Sequence, residues 1–509
     1  MERSRKMFLN TILLTATSFL MRAVGVAFQV YLSKRIGASG IGMFQLILSV
    51  SMLAATFAIS GIRFAVTRLV SEELGKNNMA GVNAAMRRCL VYAAAFGTAA
   101  LIILYFGAGF TGTKWLDDAR TVLPIRLLAL SLPAVSISSV LYGYFTAVSR
   151  VLKSSIVQIL EQIIHIATVI AALAIVPDKS VEYACAAVVA GGVIGDITSC
   201  IILYIIYLLD RRRYNTNGSK PRGITKRMFG IALPLAFSAY ARTSLASLQN
   251  LLIPRGLRLS GSTADKSLAD YGMIQGMVFP IIVFPSALFY SLADLMVPEL
   301  TQAQVAGRHN YISAMVNRIL RLCLLFSIGV MGILFVFSGE LGNAIYKLEE
   351  IGKDIRLLSF LMPFMYLDAI TDGMLRGLGQ HMYSMRYNII DSFLSVILVY
   401  TLIPRYAVTG YIFILYFSEL FNFTLSIRRL SKITKISFSL WDILKSLFCC
   451  ASAISVCILL LRAAGLPLSA HPVSLISHIV ISATIYYILL KIFGCIKSED
   501  ARWFKAMYK

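Results

Sequence analysis

Three arginines stand where arginine is costly. Arg22, Arg63 and Arg242 lie within or at the ends of stretches otherwise apolar enough to cross a bilayer. An arginine near the centre of such a span costs roughly 2.5–3.5 kcal/mol on insertion scales. A guanidinium keeps its charge and offers paired donors that match phosphate oxygens. The chemistry these residues could do is to hold an anion, such as a phosphate or pyrophosphate, inside a water-filled cavity. An ion pair between helices, or a cap on helix carbonyls, would use the same residues. Arg22 also has polar company. Thr11, Thr15, Ser18, Arg22, Gly25 and Gln29 recur at alternating steps of four and three, which places them on one helix face. Ser238, Arg242, Gln249 and Arg255 repeat Ser18, Arg22, Gln29 and Arg35 at a shift of 220 residues. Arg63 has no arginine counterpart: its equivalent is Ala293, beside Asp294.

Carboxylates in apolar surroundings carry the opposite chemistry. Glu161, Asp196, Asp294, Asp368, Asp372, Asp391 and Glu419 lie within or near spans, and none precedes Glu72 in the first two. Glu161 with Gln162 opens a polar face that would line a cavity. Asp368, Asp372 and Arg376 follow one another at steps of four. Two readings fit that ladder: a proton- or sodium-coupling site at Asp368 and Asp372, or a structural Asp372–Arg376 ion pair. The five histidines are scattered, and the eight cysteines form no CxxC and no zinc-ligand spacing. No glycine-rich phosphate loop follows a strand pattern. The expectation is therefore no metal, no cofactor and no enzyme.

The elements that must position these residues are membrane helices. The apolar fraction is 58%, the charged fraction 14% and the mean hydropathy +0.75. A span needs about 20 apolar residues, and lipid leaves helices as the way to satisfy the backbone. Fourteen candidate spans are predicted, at 8–32, 42–66, 89–111, 122–148, 155–176, 181–209, 227–253, 270–297, 317–338, 355–376, 384–403, 407–427, 443–464 and 472–494. The chain repeats itself across them. Residues 125–161 align without a gap on 355–391, pairing Pro133 with Pro363, Gly143 with Gly373, Ser154 with Ser384 and Glu161 with Asp391. At the same shift of 230, Gly42, Met43 and Gln45 meet Gly272, Met273 and Gln275. The ten-residue growth in the shift falls in the loop at 259–269, where insertion is tolerated. Two parallel six-helix repeats follow, with an N-lobe at 1–209, a cytoplasmic linker at 210–226 and a C-lobe at 227–427. The remainder, 428–509, supplies an extra helix pair and a tail. Pro280, Pro285 and Pro298 interrupt span eight or its end, where a bend near a binding site and a packing kink are both open readings.

The formal net charge of +23 invites a nucleic-acid reading, but most of the 48 Lys+Arg fall in loops on one side. That asymmetry is the positive-inside rule, and an even helix number puts both termini in the cytoplasm. The basic tracts at 211–213 and 428–435 suit anionic lipid headgroups instead. Arg3, Arg5 and Lys6 before an apolar run resemble a signal peptide, but the run is long and lacks a small-x-small site, so it is read as an uncleaved first span.

Several stretches resemble a known family: MRAVGVAFQVYLSKRIGASGIG at 21–42, ISSVLYGYF at 137–145, QILEQII at 158–164, VEYA at 181–184 and RLCLLFSIGVMGILFVFSGEL at 321–341. In order and spacing they resemble the polysaccharide-export and flippase branch of the multidrug/oligosaccharidyl-lipid/polysaccharide exporter superfamily, over nearly the whole chain. The resemblance implies two six-helix lobes in a V around a central cavity. It also implies alternating access in the cytoplasmic membrane, carrying an undecaprenyl-linked cell-wall precursor, with the spore cortex as one destination. A first-helix arginine lines the cavity of the lipid II flippases in that family, and Arg22 matches it. Spans 13 and 14 match an extra helix pair that borders a lipid-tail groove. Those flippases place another arginine early in helix eight, where this chain has Gln275; Arg242 or Arg255 would substitute. Arg22, Arg242 and Arg63 would then hold the pyrophosphate, and Ser18, Gln29, Ser238, Gln249 and Gln275 would meet the sugar. A cation-coupled multidrug antiporter and a non-transport scaffold for wall-synthesis enzymes are the alternatives.

Overall fold

The computed structural model describes residues 2–76, 78–148, 150–175, 180–211, 223–436, 440–463, 465 and 471–496. Most of the expected linker (212–222, including the end of the 211–213 basic tract) and the tail beyond 496 lie outside the described residues. Within them every regular element is a helix. In chain order these are α1 (Glu2–Ile59), α2 (Ile62–Gly75), α3 (Met79–Phe110), α4 (Val122–Ala129), α5 (Leu132–Ala147), α6 (Val151–Ile175) and α7 (Val181–Arg211). Next come α8 (Ile224–Leu259), α9 (Ala264–Gly272), α10 (Phe279–Val283), α11 (Ala287–Val305), α12 (His309–Val336) and α13 (Ser338–Tyr346). The last five are α14 (Glu349–Ser359), α15 (Met362–Gly377), α16 (His381–Ser431), α17 (Leu440–Ala463) and α18 (Pro472–Ile492). Nine helical stretches among the described residues are long and apolar enough to cross a membrane, or ten when the bent pair spanning 119–147 is taken as one.

Two of the runs expected to be continuous break at matching places in the repeat. The run at 122–148 is α4 and α5, bent by 45°, and the run at 355–376 is split between α14 and α15. The breaks have one cause in both repeats. Pro133 and Pro363 each sit in the first turn of the following helix, where a missing N–H is no loss but the preceding helix cannot continue.

Contacts divide the chain into two compact units, Arg35–Gly272 on one hand and the residues up to Lys34 with those from Met273 on the other. In the 35–272 unit α1 breaks at Gly37 (φ 70°), and α1 parts from α2 at Ser60 and Gly61, both at positive φ. A serine there needs bracing. The Tyr92 hydroxyl donates to the Ser60 carbonyl at 3.2 Å, and the Tyr240 hydroxyl donates to Ser60 Oγ at 2.7 Å. The end of α1 meets α9 with no room for a side chain: a Cβ on Gly42 would lie 1.9 Å from the Leu268 carbonyl oxygen, and one on Gly272 would lie 2.3 Å from that of Ala38. These are the two glycines that the 230-residue shift aligns. At the α2–α5 crossing a Cβ on Gly143 would fall 2.8 Å from the Arg63 carbonyl oxygen. Ion pairs finish the unit. Arg120 bridges Asp118 and Asp265, Arg258 meets Asp117, and buried Asp210 receives Arg150, Lys153 and the Tyr144 hydroxyl.

The other unit opens on an irregular helix. A π-helical stretch covers Met273–Val278, and a 3-10 turn covers Phe284–Ser286, with Pro280 and Pro285 removing two donors. Buried tyrosines from elsewhere in the unit answer carbonyls along it: Tyr346 donates to Met277 O at 3.1 Å and Tyr366 to Ile282 O at 2.7 Å. Replacing Tyr366 with Phe leaves that buried carbonyl unmet and is expected to destabilise the protein by about 1–3 kcal/mol. Thermal unfolding in detergent reads the loss; an unchanged midpoint would mean that the bond is not formed. Beyond the irregular helix, α11 crosses α15 where a Cβ on Gly373 would lie 2.6 Å from Ala293 Cβ. Gly373 and Ala293 are the repeat equivalents of Gly143 and Arg63, so the same helix crossing is built twice.

Candidate functional site

At the repeated crossing each unit gathers its polar residues. In the 35–272 unit α2 presents Arg63 and α5 presents Tyr142, one residue before the crossing glycine. The guanidinium lies over the Tyr142 ring, with Cζ 5.6 Å from its centroid. The Tyr142 hydroxyl donates to Glu161 Oε2 on α6 at 3.4 Å and sits 3.4 Å from Ser199 Oγ on α7. Asp196, one turn back on α7, lies within electrostatic range of Glu161. Glu161, predicted from sequence to line a cavity, thus belongs to a three-helix network whose centre is Tyr142.

The other unit carries a denser set of acids at the equivalent place. Asp372 is the repeat equivalent of Tyr142, and Asp391 that of Glu161. Ser384 Oγ donates to Asp372 Oδ1 at 2.7 Å, and Ser418 Oγ to Asp391 Oδ2 at 2.8 Å. Asn422 Nδ2 reaches Asp368 Oδ2 at 3.2 Å and Asn388 Oδ1 at 3.1 Å. Asp368 is 8% exposed, and its Oδ1 has no hydrogen-bond partner among the described residues. Glu419 lies in electrostatic range of Asp391 and Asp372, and Arg376 in that of Asp372. Among the described residues no three His, Cys, Asp or Glu side chains are grouped as ligands of one metal ion. The same crossing therefore carries a guanidinium in one unit, at Arg63, and a carboxylate in the other, at Asp372.

Arg22 belongs to this acidic unit. Its guanidinium lies over the ring of Tyr290 on α11, with Cζ 5.0 Å from the centroid. Glu419, Arg22, Asp368 and Asp372 are all within electrostatic range of the Tyr290 hydroxyl. Gln29 and Gln275 lie in the same unit, both half-buried; Gln275 Oε1 accepts a hydrogen bond from Tyr411 at 3.1 Å. The Ser18 side chain lies outside the described residues. Arg242, Ser238 and Gln249 lie on α8 in the 35–272 unit, with Arg242 exposed and the other two half-buried. Arg22 and Arg63 are exposed as well, and no described carboxylate oxygen comes within ion-pair distance of any of the three arginines. Sequence reasoning missed Tyr142, Tyr290, Asn388 and Asn422, each of which reaches its partners across helix contacts that no local pattern encodes. The Ser154–Ser384 match was the one visible pointer to the Asp372 partner.

These arrangements sit in a chain whose relatives can be named. A family model described as polysaccharide biosynthesis protein matches residues 8–304. The chain belongs to that family. Across 97% of its length it is 22% identical to stage V sporulation protein B of Bacillus subtilis (strain 168), covering 96% of that relative. It is 21% identical to the lipid II flippase MurJ of the same organism, over 80% of this chain and 79% of the relative. Among solved structures it resembles a lipid II flippase MurJ in an inward closed conformation, with TM-score 0.68, 14% identity, and 95% and 98% of the two chains covered. It also resembles an inward-facing multidrug resistance MATE family transporter of the MOP superfamily, with TM-score 0.58, 13% identity, and coverages of 82% and 96%. The sequence motifs pointed to this superfamily, and the shared fold and the apolar helices make this family member a multi-pass membrane protein.

Proposed function

We propose that the chain is a flippase that moves an undecaprenyl-linked anionic cell-wall or polysaccharide precursor, such as one for spore-cortex peptidoglycan, across the cytoplasmic membrane by alternating access. One observation carries the reading. Arg22, Arg63 and Arg242 stand exposed within stretches apolar enough to be predicted as membrane spans, with no described carboxylate within ion-pair distance. Guanidinium groups without a carboxylate partner at such positions are explained by an anion that comes and goes. In this reading the three arginines hold the pyrophosphate. Ser18, Gln29, Ser238, Gln249 and Gln275 meet the sugar, and Glu161 lines the path. Asp368 and Asp372 take the coupling proton or sodium ion.

The reading includes fourteen crossings, in two six-helix lobes and an extra pair formed by α17 and α18, with both termini cytoplasmic. Helix lengths support it. At 58 and 51 residues, α1 and α16 are far longer than the roughly 20 residues of one crossing. Each is cut near its middle, α1 at Gly37 and α16 at Ala407, where φ turns positive. Native mass spectrometry of protein purified from its membrane tests the cargo. A co-isolated polyprenyl pyrophosphate, lost in the Arg22→Ala/Arg242→Ala protein, is expected. A lipid complement without polyprenyl species, together with robust dye efflux in a pump-deficient strain, would replace this reading by a drug antiporter.

A further inference from the structure

Each unit holds one arginine on a tyrosine ring with carboxylates near the tyrosine hydroxyl: Tyr142 donates to Glu161, and the Tyr290 hydroxyl has Glu419, Asp368 and Asp372, as well as Arg22, within electrostatic range. In the 35–272 unit the order is Arg63, Tyr142, Glu161: the ring under the guanidinium at 5.6 Å, the hydroxyl on the acid at 3.4 Å. In the other unit the order is Arg22, Tyr290, then the acids. The Tyr290 ring lies 5.0 Å from the Arg22 guanidinium carbon, and its hydroxyl is within electrostatic range of Glu419, Asp368 and Asp372. Helix packing fixes that proximity. Tyr290 sits one turn before Ala293, which meets Gly373 at the α11–α15 crossing, and Asp372 is the residue next to Gly373.

Nothing in the chemistry of arginine favours this outcome by default. In a medium of low dielectric constant a guanidinium and a carboxylate within reach of each other pair directly, and a buried pair of that kind is hard to open. Here no described carboxylate oxygen lies within 4 Å of Arg22 or Arg63, although acids stand nearby in both units. A tyrosine resolves the conflict, because its face attracts the cation and its hydroxyl donates to the anion. At Tyr142 the ring meets Arg63 and the hydroxyl meets Glu161, so both charges are answered without pairing directly.

We propose that Tyr290 and Tyr142 are positioning residues that act as spacers: each keeps its arginine, Arg22 or Arg63, from collapsing onto the neighbouring carboxylates, so that the guanidinium stays available to an anionic headgroup. The headgroup part rests on the proposed flippase function; the spacer part does not. The recurrence is informative because the two sites are not copies. The repeat equivalent of Tyr142 is Asp372 and that of Tyr290 is Ser60, so the same three-part order arises from different helix positions.

The test reads the arginine without any lipid. Purified protein is labelled with a 1,2-dicarbonyl reagent, and the rate at Arg22 is followed by peptide mass spectrometry. Tyr290→Phe keeps the ring and is expected to label within twofold of the parent. Tyr290→Leu removes the ring, lets Arg22 pair with the acids, and should slow labelling by tenfold or more. Adding Glu419→Gln and Asp372→Asn to Tyr290→Leu removes the new partners and should restore the rate to within threefold. Unchanged labelling in Tyr290→Leu overturns the proposal, as does slow labelling that the acid substitutions fail to restore, since that would mean local misfolding. Binding of undecaprenyl pyrophosphate to the same proteins, titrated by native mass spectrometry, should follow the labelling rates. If the parent protein does not bind this probe while the labelling pattern holds, the flippase reading fails and the spacer role stands.

Discussion

Replacing both Arg22 and Arg242 with alanine is expected to abolish translocation of an undecaprenyl-linked headgroup in proteoliposomes while the protein still folds and inserts. Both side chains are exposed, so removing them leaves no cavity in a packed core. Neither has a described carboxylate at ion-pair distance, so no buried acid is orphaned. On the proposed function the loss therefore falls on binding of the anionic headgroup. A hydrogen bond to a charged group contributes about 1.5–3 kcal/mol, so two such arginines account for about 3–6 kcal/mol, on the order of a hundredfold to ten-thousandfold in headgroup binding. Each single alanine variant should show about half of that in free energy. Arg22→Lys should fall between, because lysine keeps the charge and loses the paired donors. The measurement is the rate of headgroup appearance in the opposite leaflet at matched protein density. Wild-type rates in the double variant would remove Arg22 and Arg242 from the mechanism and leave Arg63 and the acids of α15 and α16 as the remaining candidates.

Those arginines were visible in the sequence because an apolar background makes any charge conspicuous. The repeat was legible for a related reason: glycines and prolines report on backbone geometry, and backbone geometry is what two copies of a fold share. Gly143 with Gly373 and Pro133 with Pro363 do the same work in both units, one pair at a helix crossing and the other at a helix start. Hydropathy alone could not see where an apolar run breaks without becoming polar. Ser60 and Gly61 part α1 from α2 inside a predicted span, braced by Tyr92 and Tyr240 from other helices. The tyrosine rings under Arg22 and Arg63 were hidden for the same reason, since Tyr290 lies 268 residues from Arg22 and Tyr142 lies 79 from Arg63. Ladders such as Asp368, Asp372 and Arg376 show only part of the setting. Spacing along one helix points to Arg376, which lies in electrostatic range of Asp372, but not to Asn422 and Ser384 of α16, which donate to Asp368 and Asp372.

Gly42→Ala is expected to be severely destabilising. The added carbon would lie 1.9 Å from the Leu268 carbonyl oxygen and 2.7 Å from the carbonyl carbon, both backbone atoms that no rotamer change can move. Relief requires α1 and α9 to part, and Gly272 keeps them close from the other side, since its own Cβ would fall 2.5 Å from Gly42 N. Overpacking a tight contact costs about 1–3 kcal/mol where side chains can yield, and here none can, so the loss should lie at or beyond the upper end. Gly25→Ala, on the same helix, is the control. Nothing lies within 4 Å of its Cβ, and exchanging glycine for alanine within a helix contributes up to about 1 kcal/mol of stability. Thermal unfolding in detergent should therefore separate the two variants in opposite directions, with Gly42→Ala lost from the monodisperse fraction or melting well below the parent. Because Gly42 and Gly272 are the same position of the two repeats, Gly272→Ala should fail in the same manner. If Gly42→Ala melted with the parent, α1 and α9 could not approach so closely, and the two glycines would lose their role as the paired contact that joins one repeat to the other within this unit.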